Sequence, residues 1–379
     1  MLRRVSVLLT LAILAITASN VSATTIERDP TKRKGAGAPF QIRRGKLWGY
    51  MDRTGKVIIE PQFDYEGDFF HGVARVRKNR KWGYIDEKGK QVIPFSFDDA
   101  LDFIGEIAPV RVGRQWGYID LSGRWIVTPR FQAAGEFVDG RARVVLWTRV
   151  QCGNGKSVPN NEAPEHVFVI PDILVLLTGG CSPVDDRYGF IDKSGRFVIE
   201  PQLQRAEDFS EGVAAFATGN KFGYIDVDGN VVIAAQFEQA ENFAEGLAVA
   251  QRNNKWGYID KSGRWVIEPR FDLGSAFSEG LARVIPSIGS GSGYIDRRGQ
   301  IVIKSEFESA MSFSEGLSLV WKNDQSSYIN TSGTIVLTLT KARWRFSDGL
   351  TVIGEYPDRV YVDKQGKTVA PYEVGSEFE

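Results

Sequence analysis

The stretch Lys255-Trp256-Gly257-Tyr258-Ile259-Asp260-Lys261-Ser262-Gly263-Arg264-Trp265-Val266-Ile267-Glu268-Pro269 decides how this chain folds. Aromatic and β-branched residues dominate its two flanks, as strands prefer. Between them lies Asp260-Lys261-Ser262-Gly263. Asp at the first position of such a turn accepts backbone N–H bonds, and Gly at the fourth takes the left-handed backbone that closes a tight hairpin. Pro269 cannot donate to a ladder, so it is expected to end the second strand. The segment reads as a β-hairpin.

The hairpin recurs, and its period defines the fold class. The glycine of the aromatic-Gly-Tyr motif falls at Gly49, Gly83, Gly117, Gly189, Gly223, Gly257 and Gly293, with degenerate copies at Ser327 and Val360. The step is about 34 residues except between Gly117 and Gly189, where one repeat is joined by an insertion over residues 147–184. Each unit then continues through Phe237, Ala240, Phe243 and Gly246, or Phe307, Ala310, Phe313 and Gly316. Spacing by three predicts one or two tight helical turns stopped by Gly. A short third strand such as Leu247–Ala250 leads into the next motif.

No single unit can bury both faces of its hairpin, so neighbours must share a core. The expected architecture is all-β: tandem hairpin repeats stacked as an open solenoid or superhelix, with fraying ends. Drifting repeat length, the insertion and unequal end units favour the open array. The alternative is a closed β-propeller. The chain begins with a lone strand near Pro39–Arg44 and ends with a hairpin, which together could complete one blade. Against it, three strands in about 34 residues are fewer than the four usual in a blade.

Lys plus Arg and Asp plus Glu are 47 each among 379 residues, so no net field favours nucleic acid. Arg3 and Arg4, the apolar run Val5–Ile16 and Val21-Ser22-Ala23 read as a signal peptide over residues 1–23. Residues 24–38 are then a flexible linker, 39–146 repeats 1–3, 147–184 the insertion, 185–371 repeats 4–9 and 372–379 a tail. The expected location is periplasmic or extracellular, with no membrane segment in the mature chain.

The strong copies are Trp48-Gly49-Tyr50, Trp82-Gly83-Tyr84, Trp116-Gly117-Tyr118 and Trp256-Gly257-Tyr258. In weaker copies Tyr188, Phe222 and Ser292 precede Gly189, Gly223 and Gly293. These motifs resemble the WG-repeat, or KWG-repeat, family of bacterial proteins. The resemblance implies a scaffold with no shared catalytic residues to carry over.

Three residue rows are candidate sites. Asp52, Asp86, Asp120, Asp192, Asp226, Asp260, Asp296 and Asp363 recur three places after the index position and could line up for Ca²⁺, though turn capping explains them better. Glu211, Glu245, Glu279 and Glu315 each precede a Gly; glycoside hydrolysis needs one special carboxylate pair, whereas repetition signals a turn. The Trp and Tyr of the hairpins could stack sugars, but rings at a fixed repeat phase are more often core. The intervening glycine is expected to let a neighbouring ring pack on bare backbone. Cys152 and Cys181 both lie in the insertion and are expected to form a disulfide that staples an extended hairpin. No catalytic group, cofactor or metal is expected. The leading reading is a non-enzymatic exported scaffold that binds a protein or cell-envelope component; the alternative is a glycan-binding module.

Overall fold

The computed structural model describes residues 38–147, 149–152, 157–159, 181–183, 186–339, 341–342, 344–354 and 359–371. Two compact units, Met1–Arg33 and Lys34–Glu379, divide the chain, and every described residue belongs to the second. The proposed leader, linker and tail lie outside the described residues.

Among the described residues of the second unit, nine of ten antiparallel sheets follow one another as blades of a ring, a β-propeller, and the tenth belongs to the insertion. Blade 6 shows the plan: Gln239–Ala240, Ala248–Arg252, Lys255–Ile259 and Trp265–Phe271 pair in chain order. Blades 2 to 8 have four strands; blade 1 (Phe40–Arg44, Leu47–Met51, Val57–Phe63) and blade 9 (Leu350–Ile353, Val360–Asp363, Thr368–Pro371) have three. Among the described residues the expected helical turns are absent. Phe237 ends the last strand of blade 5, Ala240 lies in the two-residue first strand of blade 6 and Phe243 follows it, and Glu245-Gly246 forms a tight turn with both residues left-handed, φ 53° and 78°. Two-residue turns of that kind match the twist of antiparallel strands. Pro269 does not end its strand, which runs on to Phe271. It is tolerated there because the strand lies at the open edge of the sheet.

The index glycine is explained by a bulge within its own blade, and only at Gly83 does a ring also pack there, the Phe95 ring lying 2.8 Å from where a Cβ would stand. Trp256 pairs with Phe271 and Tyr258 with Ile267, so two steps on one strand face four on the other. The bulged backbone crosses Gly257, where a Cβ would lie 2.5 Å from the Ile267 carbonyl oxygen and 2.7 Å from the Pro269 nitrogen. Where the motif has lost its glycine the bulge is lost too: Ser327 pairs with Thr338 and Tyr328 with Leu337. Val360 likewise pairs with Pro371 and Tyr361 with Ala370.

Three contacts repeat from blade to blade, and all three recur between blade 9 and blade 1. First, the motif tyrosine donates its hydroxyl to a carbonyl of the next blade, as from Tyr224 to Glu241 (2.7 Å) and Tyr258 to Ser275 (2.9 Å). Tyr361 does the same to Gln41 at 2.9 Å, across 320 residues. Second, the turn glycine of each blade sits on an aliphatic side chain of the blade before: Gly263 on Ile233, Gly333 on Ile303, and Gly55 on Ala370. Third, a basic turn residue reaches a carbonyl of the previous blade, Lys261 to Glu211 and Lys364 to Glu315, and Arg53 to Asp348. Phe40, Ile42, Met51, Tyr361 and Ala370 close a shared core across that junction. The open solenoid is thereby corrected. The two end units are also not halves of one blade, because Phe40–Arg44 pairs with Leu47–Met51 and not with the last strand.

Candidate functional site

The motif aromatics are structural. Tyr50, Tyr84, Tyr118 and Tyr258 are fully buried. Each ring meets a phenylalanine of the next blade edge-on, as Tyr258 meets Phe277 at 4.9 Å. Burial pushes the hydroxyls up, to about 12 for Tyr294 and Tyr328, so they remain donors at any ordinary pH. Trp82 is buried, while Trp48, Trp116 and Trp256 are half-buried. In blade 4 Phe190 occupies the tyrosine slot and keeps the ring contact with Phe209 at 4.8 Å. It has no hydroxyl, and there Arg143 bridges to blade 5, donating to the Ala206 carbonyl (2.7 Å) and to Asp208 (2.9 Å).

The aspartate row caps turns. Asp260 Oδ1 accepts from the Ser262 N–H (2.9 Å), the Ser262 hydroxyl and the Arg264 N–H (3.1 Å). Arg264, Arg124 and Arg196 also pair with the aspartate four residues before them. Hydroxyl donation from Ser122, Ser194 and Ser262, ahead of the backbone bonds, lowers Asp120, Asp192 and Asp260 to about 2. A carboxylate depressed in the folded state stabilises above its unfolded pKa of about 4, and that contribution is lost as pH falls through about 2. The melting temperature should therefore drop as pH is lowered across that window. A combined Asp120→Asn, Asp192→Asn, Asp260→Asn variant should show a shallower acid slope in calorimetry, since Asn330 performs the same capping in blade 8.

The glutamate row is a strap between blades, a role that spacing alone did not reveal. Glu211 accepts the Gly246 N–H (3.1 Å), Glu245 that of Gly280 (3.0 Å), Glu279 that of Gly316 (2.9 Å) and Glu315 that of Gly349 (2.9 Å). Asp139 does this for Gly212 at 2.7 Å. A third set caps the turns between second and third strands: Asp98 accepts from Gly113 (2.7 Å), Glu238 from Asn254 (2.9 Å) and Glu308 from Asn323 (2.9 Å). Its signal was available, a polar acceptor one residue before each short first strand. Among the described residues no three His, Cys, Asp or Glu side chains could hold a metal ion.

The insertion enters through the turn between the second and third strands of blade 4. Its described strands, Arg149–Cys152, Ser157–Pro159 and Cys181–Pro183, form a separate three-stranded sheet. Cys152 stands directly opposite Cys181 in the register. Residues facing each other in an antiparallel pair have Cα atoms about 4.5–5.5 Å apart, inside the range a disulfide spans. The cysteine side chains themselves lie outside what is described. At the root of the insertion a shallow pocket of about 180 Å³ is lined by Ala133, Ala134, Gly135, Arg143, Val145 and Tyr188. Among the described residues no helix is long and apolar enough to cross a membrane.

Comparison with known proteins agrees with this geometry. The sequence model of the WG containing repeat matches residues 48–82, 82–114, 116–146, 188–222, 222–256, 256–285 and 293–325. No curated protein matches the chain in sequence. Among solved structures, a eukaryotic initiation factor is similar in fold at 10% identity, covering 88% of this chain and 95% of its own, with a TM-score of 0.53. Virginiamycin B lyase from Staphylococcus aureus aligns at 12% identity over 71% of this chain and 92% of its own, with a TM-score of 0.32. PorZ of Porphyromonas gingivalis aligns at 9% identity over 91% of this chain and 53% of its own, with a TM-score of 0.27.

Proposed function

Because the chain belongs to the family of WG-repeat proteins, and its repeated side chains are spent on holding a ring together, we propose that it is a non-enzymatic, exported interaction scaffold. The observation that carries this reading is the division of labour among residues. Tyrosines, aspartates and glutamates at fixed repeat positions all have structural partners, whereas the insertion breaks the repeat and emerges from a turn of blade 4. Loops mounted on a rigid ring are where binding specificity concentrates. The partner in this reading is a protein or cell-envelope component held by the insertion and the adjoining blade surface. Burial of the hairpin tyrosines favours this reading over the glycan-binding alternative, which is left with the half-buried Trp48, Trp116 and Trp256. The exposed aromatics Tyr65, Trp125 and Trp344 sit at different repeat positions and form no row.

Affinity capture from envelope extract tests this. The full chain should retain a partner that is lost when residues 147–184 are replaced by an Asn-Asn turn like Asn253-Asn254. Equal capture by both would reject the insertion as the binding element, and hydrolase activity in the purified protein would reject the non-enzymatic reading. Export predicts a mature N-terminus at Thr24, read by N-terminal sequencing of the protein from the periplasm or medium. The cross-strand register supports a disulfide, so the non-reduced, denatured protein should show no reactive thiol. Reduction should weaken the protein by about 3–4 kcal/mol at most, the chain-entropy value for a loop of this length.

A further inference from the structure

A charged surface separate from the insertion remains unassigned. In blades 1, 2 and 3 the arginine directly opposite the motif tryptophan stacks on it; in blades 4 and 5 the aromatic in that slot is covered from other positions, Tyr188 by Arg143 (5.7 Å) and Phe222 by Arg205 (5.5 Å). Arg43 lies 5.4 Å over Trp48, Arg77 5.8 Å over Trp82 and Arg111 5.8 Å over Trp116. The equivalent residues elsewhere are Val145, Ala217, Gln251 and Trp321, opposite Tyr188, Phe222, Trp256 and Ser326. The turns that follow these arginines are basic as well: Arg44 and Lys46 in blade 1, Lys78, Arg80 and Lys81 in blade 2, Arg114 in blade 3. In blades 5, 6 and 8 the two turn residues carry no base, Gly219-Asn220, Asn253-Asn254 and Asn323-Asp324, although Lys221, Arg252, Lys255 and Lys322 flank them, whereas Lys46, Arg80 and Arg114 stand in the turns themselves in blades 1 to 3.

Part of this charge is neutralised locally. Arg44 pairs with Glu60 (3.3 Å), Lys81 with Asp98 (2.6 Å) and Arg111 with Asp99 (3.4 Å). No ion pair joins the side chains of Lys46, Arg77, Lys78 or Arg80 to a carboxylate among the described residues; Asp64 accepts the Arg80 main-chain N–H at 3.3 Å, and Lys46 and Arg80 are exposed. Because the turns occupy equivalent places in successive blades, they lie side by side on one face of the ring. The ring strap residues Glu211, Glu245 and Glu315 engage turns of the opposite kind, so their charge does not offset this sector.

We propose that this face of blades 1–3 binds a linear polyanion, one bearing phosphate or carboxylate groups along its length. A guanidinium laid on an aromatic ring is held in orientation, and its planar fork suits bidentate contact with such groups. The turns form a track across successive blades, which suits an extended polymer better than a single small anion. Nucleic acid fits less well: bases need open aromatic faces, and the arginines cover these tryptophans. The inference goes beyond the scaffold reading and does not depend on the insertion.

The test is binding of fluorophore-labelled polyphosphate to the full chain, followed by anisotropy between about 50 and 200 mM salt. Binding should weaken steeply with salt. Joint substitution of Lys46→Gln, Arg80→Gln and Arg114→Gln should lower affinity by about tenfold or more and reduce the salt slope by about one per side chain removed. Lys88→Gln, Lys193→Gln and Arg298→Gln together remove the same charge from exposed turns of the other kind and should leave affinity unchanged. Hyaluronate in place of polyphosphate distinguishes carboxylate from phosphate as the preferred group, and tighter binding of either supports the proposal when the first triple variant weakens it. No binding at about 50 mM salt, equal loss from both triple variants, or tighter binding of single-stranded DNA than of either polymer would overturn it. Deleting residues 147–184 should leave polyphosphate affinity intact, which separates this outcome from that of the partner-capture experiment.

Discussion

Deleting blade 9, residues 341–379, should destabilise the whole ring rather than trim one end of it. Phe40, Ile42 and Met51 are 3%, 0% and 1% exposed and rest against Tyr361 and Ala370. Uncovering three large apolar side chains costs on the order of 5 kcal/mol at roughly 1.5–3 kcal/mol each. The deletion also breaks the junction with blade 8, so two interfaces are lost together. An open array would lose one and keep the remaining repeats folded, because its stability is a sum of nearest-neighbour terms. Calorimetry should show a large fall in melting temperature, and scattering should change from a compact disc to an expanded particle. A milder comparison isolates the closing bond. Tyr361→Phe should cost about 1 kcal/mol, the same as Tyr258→Phe, since the two hydroxyls make equivalent bonds of 2.9 Å. No cost for Tyr361→Phe beside a clear cost for Tyr258→Phe would mean that the ends do not meet.

The second large effect is expected from a single methyl group. Gly257→Ala places a Cβ 2.5 Å from the Ile267 carbonyl oxygen and 2.7 Å from the Pro269 nitrogen, both main-chain atoms fixed by the ladder. Relief requires undoing the bulge, which would shift Trp265–Phe271 against Lys255–Ile259 and move Trp256 and Phe271 out of register. Overpacking of this kind costs about 1–3 kcal/mol, and loss of register adds to it, so a value near the upper end is expected. Urea denaturation should place Gly257→Ala well below Gly246→Ala, whose Cβ would meet only the flexible end of Arg297, at 3.6 Å. Its cost is confined to a left-handed backbone, φ 78°. In blade 8, where the bulge is absent, Ser327→Gly should be near neutral or mildly destabilising. A loss at Ser327→Gly as large as that at Gly257→Ala would break the link between glycine and bulge.

The repeat, the strand character of Trp256–Ile259 and the capping role of Asp260 were legible in the sequence because each depends on residues close along the chain. Chemistry repeated at a fixed phase also identified the aspartate and glutamate rows as structural before any contact was known. What local order could not convey was partnership at a distance. Phe237, Ala240 and Phe243 mimic a helical spacing, yet Ala240 lies in a short strand with the two rings on either side of it, and all three pack with Tyr224 of the neighbouring hairpin. Gly257 was read as a seat for a ring, whereas its constraint is the backbone of a strand ten residues later. The glutamate strap joins residues 35 apart in different blades. Closure is the extreme case. Whether nine units spiral or return depends on the small rotation between neighbours summed over all of them, a quantity no single repeat encodes. The tertiary structure alone decides it, by bringing Tyr361 to Gln41.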